Sequence, residues 1–95
     1  MKVLVIYDIS NDRSREELAN HLQRLGLCRI QRSVFLGRAN SRLLKELERV
    51  ASRYLNPRTD VIHIVPIDEL YWRRVKVLGT PYYARNSLGG VLSIA

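Results

Sequence analysis

Ninety-five residues bound the chain to about one domain, and 16 Lys plus Arg against 9 Asp plus Glu leave a net charge of +7 with a pI near 10.2. Thirteen of those cations are Arg, whose planar fork suits phosphate oxygens, so a polyanion is the expected partner. The lone Cys28 excludes a disulfide framework and a thiolate zinc site, as expected of a reducing cytoplasm.

The opening run Val3-Leu4-Val5-Ile6-Tyr7 is apolar on both parities, which predicts a buried central strand over residues 2–8. It is too short for a signal-peptide core or a membrane span, so a soluble, cytoplasmic protein is expected. Asp8 closes this strand, where α/β folds tend to keep their chemistry, although an Asp leaving a strand is more often a cap or turn residue. Ser10, Asn11 or Asp12 caps the helix that follows. Leu18, Leu22 and Leu25 form its core stripe, and Gly26 ends it. Residues 28–38 alternate like a strand, either one long strand or a hairpin bent near Gln31 to Ser33.

Asn40 or Ser41 starts a second helix with Leu43, Leu44, Leu47, Val50, Ala51 and Leu55 on its apolar face and Asn56-Pro57 after its end. Arg38, Arg42, Lys45, Arg49 and Arg53 recur at helical spacing on the other side, and from Arg42 to Arg53 the row extends ~17 Å at 1.5 Å per residue. Such a row can follow several phosphates, or it can be a solvated face partly neutralised by Glu46 and Glu48. With Arg13 and Arg15 at the first helix, these are the candidate nucleic-acid-binding residues.

Residues 60–67 read as a further strand, where Pro66 near its end suggests an edge or an exit. Asp68 caps a short helical turn, and Arg74-Val75-Lys76-Val77-Leu78 is expected as a fifth strand. The apolar end, Val91 to Ala95, is expected to dock on a sheet edge of its own or another chain. The order fits an α+β, ferredoxin-like βαββαβ domain over residues 1–95, with a core of about 1–78, a tail of about 79–95 and an appended C-terminal strand. A chain this short buries roughly 60 to 65% of its unfolded surface, so a homodimer is the default expectation.

There is no glycine-rich phosphate loop, no HExxH and no Cys and His cluster, and His21 and His63 are expected to be structural or surface residues. A single Phe argues against sequence-specific RNA reading on stacked aromatics. One carboxylate makes a weak magnesium site, but Asp8 from two subunits meeting at a two-fold axis can share one ion. Asp12 is expected instead as a helix N-cap.

Tyr7-Asp8-Ile9, Asn11-Asp12, Arg15, Gly26 and the run Arg29-Ile30-Gln31-Arg32-Ser33-Val34-Phe35-Leu36-Gly37 resemble the CRISPR-associated protein two family, and His63-Ile64-Val65-Pro66-Ile67 fits its later strand. The sequence departs from the family's pattern at Glu16-Glu17 and at Leu36. The resemblance implies a ferredoxin-like homodimer that exchanges carboxyl-terminal strands and acts in acquisition of new spacers. It implies that the dimer bridges the CRISPR integrase and holds duplex DNA. It also implies metal-dependent phosphodiesterase activity on single-stranded RNA or on DNA, with Mg2+ on Asp8 and with Tyr7, Arg15, Arg29, Ser33 and Phe35 around it. A small-molecule regulatory domain of the same fold has no recognisable ligand loop in this sequence.

Overall fold

A computed structural model describes residues 1–82 of the chain. The apolar opening forms β1 (Lys2–Asp8), followed by α1 (Asp12–Arg24), β2 (Cys28–Gln31), β3 (Val34–Arg38), α2 (Ser41–Tyr54), β4 (Val61–Ile67) and the one-turn α3 (Glu69–Trp72). The four strands make one antiparallel sheet in the order β2-β3-β1-β4. This is the ferredoxin-like βαββαβ arrangement. β1 lies inside, paired with both β3 and β4, which explains why its sequence is apolar on both parities. Among the described residues β4 pairs only with β1, and it tolerates Pro66, which has no N–H to give to a ladder.

Both long helices start where the sequence supplies an Asn. The Asn11 side chain accepts the Ser14 N–H at 2.9 Å, and that of Asn40 accepts the Leu43 N–H at 2.8 Å. Asp12, expected as the cap, is the first helical residue instead, and its carboxylate meets the Arg15 guanidinium at 2.5 Å. α1 ends in a Schellman turn: Gly26, at φ +95°, donates to Gln23 C=O at 3.0 Å, and Leu27 N–H reaches back to Leu22 C=O at 3.1 Å. Leu22 and Leu27 are both buried beside that turn.

α1 and α2 cover one face of the sheet. Val3, Val5 and Tyr7 from β1 and Phe35 from β3 meet Leu18 and Leu22 of α1 and Leu47 and Val50 of α2 in the core. Each fully buried Leu or Val contributes roughly 1.5–3 kcal/mol from leaving water. Gly37 lies on this face because Leu27 crosses it closely: a Cβ there would sit 3.1 Å from Leu27 Cγ. His21 of α1 bonds through Nδ1 to the Tyr54 hydroxyl of α2 at 3.1 Å, the structural role expected of it.

Residues 28–38 form the hairpin, not the single strand, with Arg32 and Ser33 in the turn. The register shifts between Arg29 and Gln31, so a bulge breaks the alternation and places Ile30 and Gln31 together along the face away from the helices. Residues 74–78 are not a strand. Turns bonding Arg74 to Tyr71 and Val75 to Trp72 lead into irregular chain, and residues 76–81 cross the sheet's second face beside Leu4, Ile6 and Val34. The docking expected of residues 91–95, and the appended strand, fall outside the described residues. Among the described residues no helix is long and apolar enough to cross a membrane.

Candidate functional site

Successive residues of a strand point to opposite faces, and at the end of β1 this divides the candidates. Tyr7 turns toward the helices. It is 4% exposed, and its ring lies 6.2 Å from that of buried Phe35 at an interplanar angle of 25°. The Arg29 guanidinium sits 5.1 Å from the Phe35 ring centre and 5.8 Å from that of Tyr82, a cation–π sandwich at the sheet's β2 edge. Arg15 donates to Ile9 C=O at 2.9 Å while holding Asp12, which fixes the loop between β1 and α1. Tyr7, Arg15 and Arg29 all line one cavity of about 540 Å³ between α1 and the hairpin.

Asp8 leaves on the opposite face and is exposed. Its register partner on β4 is Val61, and the same face carries Ile6 and Val61, both exposed, as well as Leu4, Val34 and Leu36. Ser33 stands between the two groups in the hairpin turn, its C=O accepting the Tyr7 N–H at 3.1 Å. The six residues tied to the chemistry by resemblance are therefore neighbours along one end of the sheet, but only Asp8 points to the face away from the helices.

The loop after Asp8 is held by a residue the sequence reading did not single out. Asp60 accepts the Ser10 N–H at 3.0 Å, the Asn56 N–H at 2.9 Å and the Thr59 hydroxyl at 2.9 Å. The bonds from Ser10 and Asn56 hold its carboxyl below the usual carboxylate range, against the opposing effect of burial. An Asp just before a strand is common in turns, so only its distant partner, 50 residues back in the chain, marks it.

Among the described residues no three His, Cys, Asp or Glu side chains gather as a ligand set. The donor chemistry of Asp8 nevertheless fits magnesium, which takes one or two carboxylates and completes its shell with water and phosphate oxygens. An exposed carboxylate beside an apolar face can supply one such ligand per chain.

On α2, Arg42, Lys45, Arg49 and Arg53 are all exposed, as the periodicity predicts. Glu46 grips Arg49 through two bonds, Nε to Oε1 at 2.8 Å and a guanidinium nitrogen to Oε2 at 2.5 Å, which lowers the Glu46 pKa. Arg42, Lys45 and Arg53 have no carboxylate partner among the described residues. Arg38 does not continue this row. It is the last residue of β3, opposite Lys2, on the parity that faces away from α2.

The family model for "CRISPR associated protein Cas2" matches residues 1–75. The "CRISPR-associated endoribonuclease Cas2 2" of Pyrobaculum aerophilum is 39% identical over 88 residues, covering 93% of this chain and 97% of the relative. The "CRISPR-associated endoribonuclease Cas2 1" of Archaeoglobus fulgidus is 41% identical over 64 residues, 67% of this chain and 68% of its own length. Among solved structures, hypothetical protein TT1823 of Thermus thermophilus superposes with a TM-score of 0.73 at 39% identity, over 84% of this chain and 92% of that one. Streptococcus pyogenes Cas2 gives 0.65 at 25% identity, over 83% of this chain and all of the other. With the sheet order, the Tyr7-Asp8 strand end and these matches together, the chain belongs to the CRISPR-associated Cas2 protein family.

Proposed function

We propose that the chain is the small adaptation subunit of a CRISPR system, a homodimer that binds duplex DNA and bridges the CRISPR integrase during spacer acquisition. The observation that carries this reading is the exposed row on α2, with three cations free of carboxylate partners among the described residues. Cations at this spacing contact phosphates without reading bases, which is what a protein needs to hold DNA of any sequence. The apolar face of the sheet opposite the helices supports the dimer, since Ile6 and Val61 are left exposed there and a second copy offers the same surface. The integrase partner comes from family membership.

A second reading is favoured by Asp8. Its carboxylate is exposed at the end of that face, so two copies packed about a two-fold axis through the sheet can bring two Asp8 together. Relatives of this chain are named endoribonucleases. Bound there, Mg2+ would lower the pKa of a coordinated water and offset charge on a phosphate. The chain's own part is to hold the two carboxylates in place: Asp60 fixes the backbone at Ser10, and Arg15 fixes it at Ile9. Phosphodiester hydrolysis then adds water at phosphorus and releases the bridging oxygen as a hydroxyl.

The test compares wild type with Asp8→Asn on labelled single-stranded RNA and duplex DNA, with magnesium and with chelator, recording cleavage and binding together. Cleavage that needs magnesium and disappears in Asp8→Asn supports the nuclease. Salt-sensitive duplex binding by both proteins with no cleavage supports the scaffold alone, and absence of duplex binding overturns it.

A further inference from the structure

Tyr7 and Arg29 line the cavity between α1 and the β2–β3 hairpin, and the Tyr7 hydroxyl and Arg29 Nε are buried with no hydrogen-bond partner among the described residues. Unsatisfied buried donors are rare in folded proteins, and here the residues carrying both line one space of about 540 Å³. Arg32 at the hairpin turn and the amides of Asn20 and Gln23 line it too, and every one of these side chains can donate. Asp12 and Glu16 also reach this lining. Asp12 is matched by Arg15, which leaves Arg29 and Arg32 against Glu16 and a net positive wall.

We propose that this cavity takes a phosphate monoester at the end of a nucleic-acid strand. Oxygens that only accept are the complement of a donor-rich, positive cavity, and Arg and Tyr donors bind an ionised oxygen more strongly than a neutral one. A monoester enters end-on, whereas an internal diester has to bring a sugar through on both sides. The proposal takes its source of monoester from the nucleic-acid reading above, and it assigns Tyr7 and Arg29 to a pocket on the helix side of the sheet, separate from Asp8. A strand cleaved by hydrolysis carries such an end, so the same pocket accepts a product.

The test measures affinity of the full chain for short labelled strands that differ only in a 5′-phosphate, a 3′-phosphate or hydroxyl ends, at one salt concentration. Charge-assisted bonds predict that one phosphorylated end binds at least about tenfold tighter than the hydroxyl end. In Tyr7→Phe that ratio should fall below about threefold. The variant keeps the ring and removes only an unsatisfied hydroxyl, so its melting temperature should not drop. Alanine at Arg42 and Lys45 should weaken all strands and leave the ratio alone. Wild type that binds every strand equally overturns the pocket while the nucleic-acid reading stands, and wild type that binds none overturns both. A nucleoside monophosphate that competes away the end preference assigns it to the phosphate itself. A preference that persists unchanged in Tyr7→Phe overturns the assignment to this cavity.

Discussion

If α2 is the surface that meets DNA, removing Arg42, Lys45 and Arg53 together should change how binding responds to salt, by an amount the structure sets. These three cations are exposed and without carboxylate partners among the described residues, so each is available to displace one counterion from a phosphate. Each contact contributes about −0.9 to the slope of log K against log salt on duplex DNA, so the triple alanine variant should flatten that slope by about 2.7. Across a fourfold rise in salt, such as about 50 to 200 mM, the three contacts account for a roughly 40-fold change in affinity. Alanine is the best helix former, so the substitutions should leave α2 intact. Arg49→Ala alone should flatten the slope by less than one contact's worth, because Glu46 already engages its guanidinium. The assay is a duplex titration by fluorescence anisotropy at four salt concentrations. A triple variant with the wild-type slope would refute the argument and remove α2 from the interface.

Three further expectations concern the frame around the site. Asp60→Asn should destabilise the protein at neutral pH, and the difference from wild type should vanish as pH falls below the carboxyl's ordinary value near 3.8. The folded carboxyl titrates below that value, so its stabilising bonds are present above it and lost through acid; denaturant melts across pH 2–7 check this. His21 is held below 6.5 chiefly by burial, then by Arg24 and Arg53, with Glu46 opposing. The α1–α2 contact should therefore be fully stable above pH 6.5 and weaken as pH falls, and His21→Gln should flatten that part of the stability curve. Gly37→Ala should cost about 1–3 kcal/mol in urea melts, because the new Cβ meets buried Leu27 at 3.1 Å in a packed core; an unchanged midpoint would mean that Leu27 yields freely.

Elements whose signals are local were legible in the amino-acid order. A run apolar on both parities read as an inner strand, and Gly26 stood where the chain needs a positive φ, while the helix starts were narrowed to two or three polar residues from which the fold chose Asn11, not the expected Asp12, and Asn40. The row on α2 followed from the 3.6-residue period alone, and Asp8 stood out because a charge ends an apolar run. The remaining features depend on partners distant in the chain. The bulge at Ile30 broke the parity on which the hairpin's faces were read, and residues 74–78, with strand-like alternation, turned after α3 and led into irregular chain beside Leu4, Ile6 and Val34 instead of forming a strand. Arg38 fell out of the row because β3 ends there before α2 begins. The sheet also separated Tyr7 from Asp8, adjacent in sequence but on opposite faces, and only the fold brought Asp60 to Ser10 across 50 residues. Periodicity and capping act over one or two turns of chain, whereas a carboxylate's partner, a cavity and the face a residue occupies exist only once the strands have paired.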